Sequence, residues 1–162
     1  MKEIPLTQGK VALVDDEDYA ELSQYSWYAL KGRHTWYAAR NTPTVAGKKT
    51  TMRMHRQILG ASSERQVDHR DGDGLHNWRT NLRYCTNGQN QSNLHYKKAG
   101  CTSRHKGVSW YRRFGKWQAA IRVNGKSMNL GRFDDEDDAA RAYNAAALRL
   151  FGEFACLNTF DK

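Results

Sequence analysis

Val67-Asp68-His69-Arg70-Asp71-Gly72-Asp73-Gly74-Leu75-His76-Asn77-Trp78-Arg79-Thr80-Asn81-Leu82-Arg83-Tyr84, continued by Cys85-Thr86-Asn87-Gly88-Gln89-Asn90, decides the reading of this chain. Asp71-Gly72-Asp73-Gly74 marks a turn, since glycine admits left-handed backbone and aspartate bonds its own main chain. Asn81-Leu82-Arg83-Tyr84 begins a return strand. Thr86 and Gln89 stand at capping-box spacing, in which each side chain satisfies the other residue's backbone N–H. They predict a helix from about Asn87 to Tyr96. The order is strand, long loop, strand, helix.

That unit can perform specific chemistry. Asp68 and His69 are adjacent on an extended strand, so their side chains point to opposite sides unless a local bend re-aims one. A helix laid across the hairpin brings Asn90 against the first strand. A carboxylate oxygen from Asp68 and an amide oxygen from Asn90 are hard ligands that suit Mg²⁺, with Mn²⁺ as the other candidate. His69 can take a proton from an attacking water near neutral pH. An isolated Asp-His pair before a glycine-rich turn would only cap that turn; the full set with two spaced asparagines and a capped helix is far more specific. Asn77 reads as a loop hydrogen-bonder, His55 as packed beside the site, and His76 as a solvated loop residue. Asn93, one turn beyond Asn90, has a surface role or faces the site. Cys85 reads as packed beside the helix rather than reactive.

Outward from this stretch, charge narrows the partner. The net charge is +9 and the pI about 9.6, which points to a polyanion. The sequence has no long apolar run or basic amphipathic helix to suggest a membrane, and Met1 to Pro5 lacks a signal-peptide apolar region. Cys85, Cys101 and Cys156 form no Cys-x-x-Cys pair, so neither a disulfide framework nor a structural zinc is expected, and a cytoplasmic setting fits free thiols. Basic residues run from Arg104 to Arg132 without an acid, and Asp134-Asp135-Glu136-Asp137-Asp138 follows directly. Lys97 to Ser103 reads as a linker region. The expected division is residues 1–98 with the core motif at about 52–96, a linker at 99–103, and residues 104–162.

The flanking segments read as α+β. Before residue 60, Lys10 to Val14 is a candidate strand, and Trp27 to Leu30 and Trp36 to Ala39 flank a hairpin turn at Lys31 to His34. Asp15 to Tyr25 reads as a helical turn, and the many aromatics as core. After the linker, Trp117 to Val123 alternates, with Trp117, Ala119, Ile121 and Val123 on one face and Gln118, Ala120 and Arg122 on the other. Asn124-Gly125 is a two-residue hairpin signal. Lys126 to Leu130 returns, with Met128 and Leu130 on the apolar side. The acidic run opens a helix where negative charge suits the dipole, and Gly152 ends it. Its buried stripe is read as Ala139, Ala142, Tyr143, Ala146 and Leu150. The result is a strand-rich first part, then a three-stranded antiparallel sheet with one helix on one face.

Val67-Asp68-His69, Asn77 before Arg79, Asn81-Leu82-Arg83 and Asn90 resemble the H-N-H (ββα-metal) endonucleases, particularly phage homing and intron-associated types. Met54-His55-Arg56-Gln57-Ile58-Leu59 resembles the segment that precedes their site. The resemblance implies His69 as general base, Asp68 and Asn90 as holders of one divalent metal, and Asn81 as the brace of the loop. It implies DNA phosphodiester hydrolysis leaving a 5′-phosphate and a 3′-hydroxyl, and one candidate site favours a nick over a paired cut if the chain acts as a monomer. Lys106-Gly107-Val108, Gly115-Lys116-Trp117, Ala120-Ile121-Arg122, Leu130-Gly131-Arg132-Phe133, Ala139-Ala140-Arg141-Ala142-Tyr143 and Phe151 to Asn158 closely resemble the plant APETALA-type ethylene-response-factor domain. That resemblance implies contacts to double-stranded DNA from Lys106, Arg112, Arg113, Lys116 and Arg122, and more loosely from Trp110, Ser127 and Asn129. The first turn is one residue longer than in plant members, and Ala120, Ser127 and Asn129 replace their usual Glu, Arg and Trp, so the plant target does not transfer. Arg132 and Arg141 read as makers of surface ion pairs. No obligatory protein partner is evident, and the alternative reading is a DNA-binding regulator with an inactive nuclease unit.

Overall fold

The structure is a computed structural model that describes residues 1–44, 47, 50–62, 64–93 and 100–160. It is mixed α/β, with several small antiparallel sheets and four α-helices among the described residues. The chain divides into two units, Met1–Asn90 and Gln91–Lys162. The expected helical residues Leu94 to Tyr96 and the linker residues Lys97 to Ala99 lie outside the described residues.

In the first unit β1 (Lys2–Pro5) pairs antiparallel with β2 (Val11–Val14). Ala12 and Val14 are buried while Val11 is exposed, the period-two pattern of a half-buried strand. Helix α1 (Asp16–Leu22) follows, with Asp16, Glu17 and Asp18 in its first turn, where the helix dipole favours negative charge. The hairpin of β3 (Tyr28–Lys31) and β4 (Trp36–Asn41) gains β5 (Thr51–Arg53) on its other edge. Helix α2 (Met54–Ile58) continues directly and buries Met54, His55 and Ile58. Met54 and Ile58 share a core with Ile4, Val14, Leu22, Trp27, Ala38 and Leu82. Strands β1 and β5 escape a pattern reading because one ends in Pro5 and the other has three residues.

Against this scaffold β6 (Gln66–His69) pairs antiparallel with β7 (Leu82–Cys85), Asp68 opposite Arg83 and His69 opposite Leu82. The loop between them is stitched to β2: Leu13 N–H donates to the Leu75 carbonyl at 2.9 Å and Asn77 N–H to the Leu13 carbonyl at 2.7 Å. Gly74 lets the loop reach β4, since a Cβ there would lie 2.4 Å from the Trp36 carbonyl oxygen and 2.5 Å from the Tyr37 ring. Helix α3 (Asn87–Ser92) begins with the capping box in place. Gln89 Oε1 accepts from Thr86 N–H at 2.8 Å, and Thr86 Oγ1 from Gln89 N–H at 3.3 Å.

In the second unit β8 (Val108–Tyr111), β9 (Lys116–Val123) and β10 (Lys126–Phe133) form a sheet in the order β10-β9-β8. The β9–β10 turn has Asn124 at φ 50° and Gly125 at φ 80°, the left-handed pair that a two-residue hairpin needs. Helix α4 (Glu136–Phe151) is capped by Asp135, whose carboxylate accepts from the Asp137 and Asp138 N–H groups. The helix buries Ala139, Ala140, Tyr143, Ala146 and Ala147. Leu150, expected on this stripe, is 36% exposed. At 3.6 residues per turn the position below Ala147 belongs to Phe151, which packs in that cluster instead.

Candidate functional site

The two faces of the β6–β7 hairpin carry different chemistry. Cross-strand partners share a face, so Gln66, Asp68, Arg83 and Cys85 line one side and Val67, His69, Leu82 and Tyr84 the other. On the first, Asp68 Oδ2 accepts from Arg83 Nε at 3.0 Å and Nη2 at 2.8 Å. The side chains are 7% and 6% exposed, a buried ion pair. Asn90 of α3 donates through Nδ2 to Gln66 Oε1 at 3.3 Å, and Gln66 Nε2 donates to Asn87 Oδ1 at 3.1 Å. Gln66 lies two residues before Asp68 on the same face, so α3 brings Asn90 to the side of the hairpin that carries Asp68. Cys85 is also on this side, and burial leads in pushing its thiol up to about 11, which leaves it a poor nucleophile.

On the second face His69 is 5% exposed. Its ring meets His55 edge-on at 4.9 Å and Tyr37 at 6.0 Å between centroids. Its Nε2 lies 3.3 Å from Oδ1 of Asn77, a side chain wholly removed from solvent. Burial pulls the His69 pKa below the ordinary value, opposed by the Asn77 bond and by the charges of Asp71, Asp68 and Asp73. His55 is driven further, to about 2, by burial first and then by His69, Arg53 and Arg56. His55 Nδ1 is buried with no hydrogen-bond partner among the described residues. Burial likewise raises the Tyr37 hydroxyl, with Arg53 opposing.

Asn81, in the 3-10 turn Arg79–Asn81 before β7, is tied to the loop at several points. Its Nδ2 donates to Asp71 Oδ1 at 3.0 Å and to the His76 carbonyl at 2.8 Å, and its Oδ1 accepts from Asp71 N–H at 3.2 Å. His76 is not a free loop residue: Nδ1 lies 2.6 Å from Asp71 Oδ2, and the ring lies tilted against that of Trp78, with centroids 4.8 Å apart. Burial works against ionised Asp71, but the bonds from His76, Asp73 N–H and Asn81 prevail and hold its carboxyl below the ordinary value. Asn93 is buried rather than on the surface. Asp15, Glu17 and Asp18 also cluster, but Arg79 occupies them, pairing with Asp18 at 2.6 Å and Glu17 at 3.4 Å and donating its N–H to Asp15 at 2.7 Å.

The open face of the second unit's sheet follows from its register. Ser109, Gln118 and Arg132 stand in line across the strands, as do Ala120 with Asn129 and Arg122 with Ser127. Arg122, Ser127 and Asn129 are exposed, and Gln118 Nε2 donates to Asn129 Oδ1 at 3.4 Å. Arg112 and Arg113 are exposed in the β8–β9 turn. Lys116 pairs with Asp134 at 3.0 Å. Two residues lie elsewhere. Trp110 stands opposite Trp117 on the side that packs α4, with ring centroids 5.1 Å apart. Lys106 turns inward: its ammonium donates to the Ser92 carbonyl at 2.8 Å, and burial lowers its pKa while Cys156 opposes. Arg141 does form a surface ion pair, with Asp138 at 2.7 Å. Among the described residues Arg132 forms none; it lies over the Tyr111 and Phe114 rings at 4.8 and 4.3 Å. Of the polar residues at the hairpin, Arg83 had a cross-strand position that could have identified it as the partner of Asp68, whereas Asn77, in a loop, had no periodic signal.

No family model matches the chain. Over 160 residues it is 30% identical to an uncharacterised HNH endonuclease of Acanthamoeba polyphaga mimivirus, an alignment covering 95% of this chain and 78% of that protein. A stretch of 57 residues, 35% of the chain, is 44% identical to APETALA2-like protein 2 of Oryza sativa and spans 13% of that protein. A stretch of 62 residues, 37% of the chain, is 47% identical to dehydration-responsive element-binding protein 2D of Arabidopsis thaliana and spans 29% of it.

Proposed function

The chain belongs to the HNH endonuclease family, and on that premise we propose that it hydrolyses DNA phosphodiester bonds at a ββα-metal site built by β6, β7 and α3. The observation that carries the reading is the buried His69, held by Asn77 and adjacent to Asp68, on the hairpin that α3 approaches with Asn90. Asp68 and Asn90 fit a hard divalent cation. The first offers a carboxylate, and the second directs its Nδ2 arm to Gln66, so its other arm is an amide oxygen. When bound, the cation, Mg²⁺ or Mn²⁺, supplies stabilisation of charge on the phosphate and the leaving oxygen.

The chain's own residues do the rest. His69 accepts the proton of the attacking water, and burial keeps the ring in its neutral, proton-accepting form. Asn81 holds the loop closed through Asp71 and the His76 carbonyl, which fixes the backbone beyond His69. Arg83 pairs with Asp68 and so sets where that carboxylate stands. The second unit binds duplex DNA through the open sheet face, with Arg122, Ser127 and Asn129 toward the bases and Arg112, Arg113 and Lys116 toward phosphate. A division into a nuclease part at 1–98, a linker at 99–103 and a DNA reader at 104–162 goes with this reading.

The test is supercoiled plasmid incubated with the protein and Mg²⁺ or Mn²⁺, with chelator as control. Nicked circles that appear only with the metal are expected. A folded protein that binds duplex DNA in a salt-dependent way but nicks nothing would be a DNA-binding regulator instead.

A further inference from the structure

We propose that Arg53 and Tyr37 grip a backbone phosphate of the DNA strand being cut, the neighbour of the scissile one, and so set how that strand lies against His69. The inference rests on the reading of the β6–β7 hairpin as a nuclease site and adds a substrate contact from outside that hairpin.

On the β4–β5 ladder Arg53 stands opposite Ala39, and Tyr37 lies two residues before Ala39. Arg53 and Tyr37 are therefore diagonal neighbours on one face, within reach of each other. The guanidinium lies over the Tyr37 ring, 5.0 Å from its centroid. That ring in turn meets His55 at 5.7 Å and His69 at 6.0 Å between centroids. It has little freedom to move. A Cβ on Gly32 would lie 2.6 Å from Tyr37 Cε2, and one on Gly74 would lie 2.5 Å from Cδ1, so two glycines close on opposite edges of the ring.

Both groups keep their donors for something else. Arg56, Arg79 and Arg83 commit their guanidinium groups to carbonyls or carboxylates. Arg53 is exposed and forms no ion pair or hydrogen bond among the described residues, and the Tyr37 hydroxyl likewise has no hydrogen-bond partner there. A guanidinium only donates, and burial keeps the Tyr37 hydroxyl protonated beside it, so the ligand that suits the pair is an oxyanion. In duplex DNA that is a phosphate. The scissile phosphate belongs, in the nuclease reading, to the cation held by Asp68 and Asn90. Arg53 stands on the His69 side, a ring's breadth from the base, so the phosphate it takes is one step along the strand. An anchor on a clamped ring fixes the strand before chemistry, the usual gain from orientation.

The experiment measures binding of the full chain to duplex DNA, in chelator, over a salt series. Arg53→Gln should weaken binding about 10-fold and reduce the slope of log affinity against log salt by about 0.9, the share of one phosphate. Tyr37→Phe keeps the ring and the charge, so it should weaken binding about threefold and leave the slope alone. A single neutral methylphosphonate is then walked along the nicked strand. Next to the scissile position it should weaken native binding as much as Arg53→Gln does, and it should weaken Arg53→Gln no further. An unchanged slope in folded Arg53→Gln overturns the proposal. So does a neighbour penalty that persists in that variant, or one that it abolishes only at the scissile phosphate itself. A chain that nicks no duplex would instead remove the nuclease reading, while the salt slope still decides whether Arg53 holds a phosphate.

Discussion

The β6–β7 hairpin and the β8–β10 sheet are both small antiparallel units followed by a helix, yet they treat polar groups in opposite ways. The hairpin buries Asp68, His69, Asn77, Asn81 and Arg83 and satisfies them with one another and with loop backbone. The sheet keeps Arg122, Ser127, Asn129 and Arg132 on a face open to solvent. Chemistry needs groups aimed and desolvated before the substrate arrives. Reading DNA needs groups that stay hydrated and adaptable until a groove displaces the water. Polar residues in the first region should therefore be worth stability as well as activity, and those in the second affinity alone.

The largest test of this contrast is Arg83→Met against Arg122→Met. Removing Arg83 takes an ion-paired, doubly hydrogen-bonded partner from the buried Asp68 carboxylate and should cost about 3–5 kcal/mol in urea unfolding. Arg122→Met should stay within about 0.5 kcal/mol. Equal losses would show that the two regions do not differ as argued. Next in size, His69→Ala should keep the fold and slow nicking by about 10²-fold or more, the usual scale for a lost general base. Arg122→Ala should leave nicking chemistry intact and weaken binding of a preferred duplex by about 1–3 kcal/mol.

Acid sharpens the same comparison from the side of stability. His55 falls to about 2 in the fold from an ordinary 6.5, with burial as the main cause, and His69 shifts in the same direction. Between those values the unfolded chain binds protons that the fold excludes. The stability due to neutral burial is thus complete above about 6.5 and drains as pH falls toward the folded value. From about pH 6.5 to about pH 5 His55 alone should account for about 2 kcal/mol. His55→Phe should flatten that slope, measured by urea unfolding at each pH. An unchanged slope would mean that acid enters elsewhere.

Much of both regions was legible in sequence because it depends on local pattern. The order strand, loop, strand, helix follows from turn residues and from Thr86 and Gln89, whose two reciprocal bonds are present. Strict alternation in Trp117 to Val123 assigned its faces. What was not legible depends on residues distant in sequence or on a break in period. Asn77 meets His69 because its backbone is bonded to Leu13, a partner that no local pattern names. Continued alternation would put Arg132 on the same side as Met128. The register shift between Asn129 and Gly131 moves it to the open face opposite Gln118. Lys106 reads as basic and available, but its ammonium is committed to the Ser92 carbonyl.

The smallest effect compares the caps of the two helices. α3 has six residues and buries none of them, so little packing holds its start, whereas α4 has sixteen and a row of buried alanines. Thr86→Ala removes one bond of the α3 capping box, and Asp135→Ala removes the acceptor for two N–H groups of α4. Each should cost about 1 kcal/mol of helix stability. The consequences should differ. In α4 the fraying end lies before the buried stripe, so DNA affinity should hold. In α3 the fourth residue is Asn90, so loosening the first turn loosens a proposed metal ligand, and nicking should need more Mg²⁺. A titration of nicking rate against Mg²⁺ for both variants reads the difference. A shift with Asp135→Ala and none with Thr86→Ala would separate Asn90 from the metal.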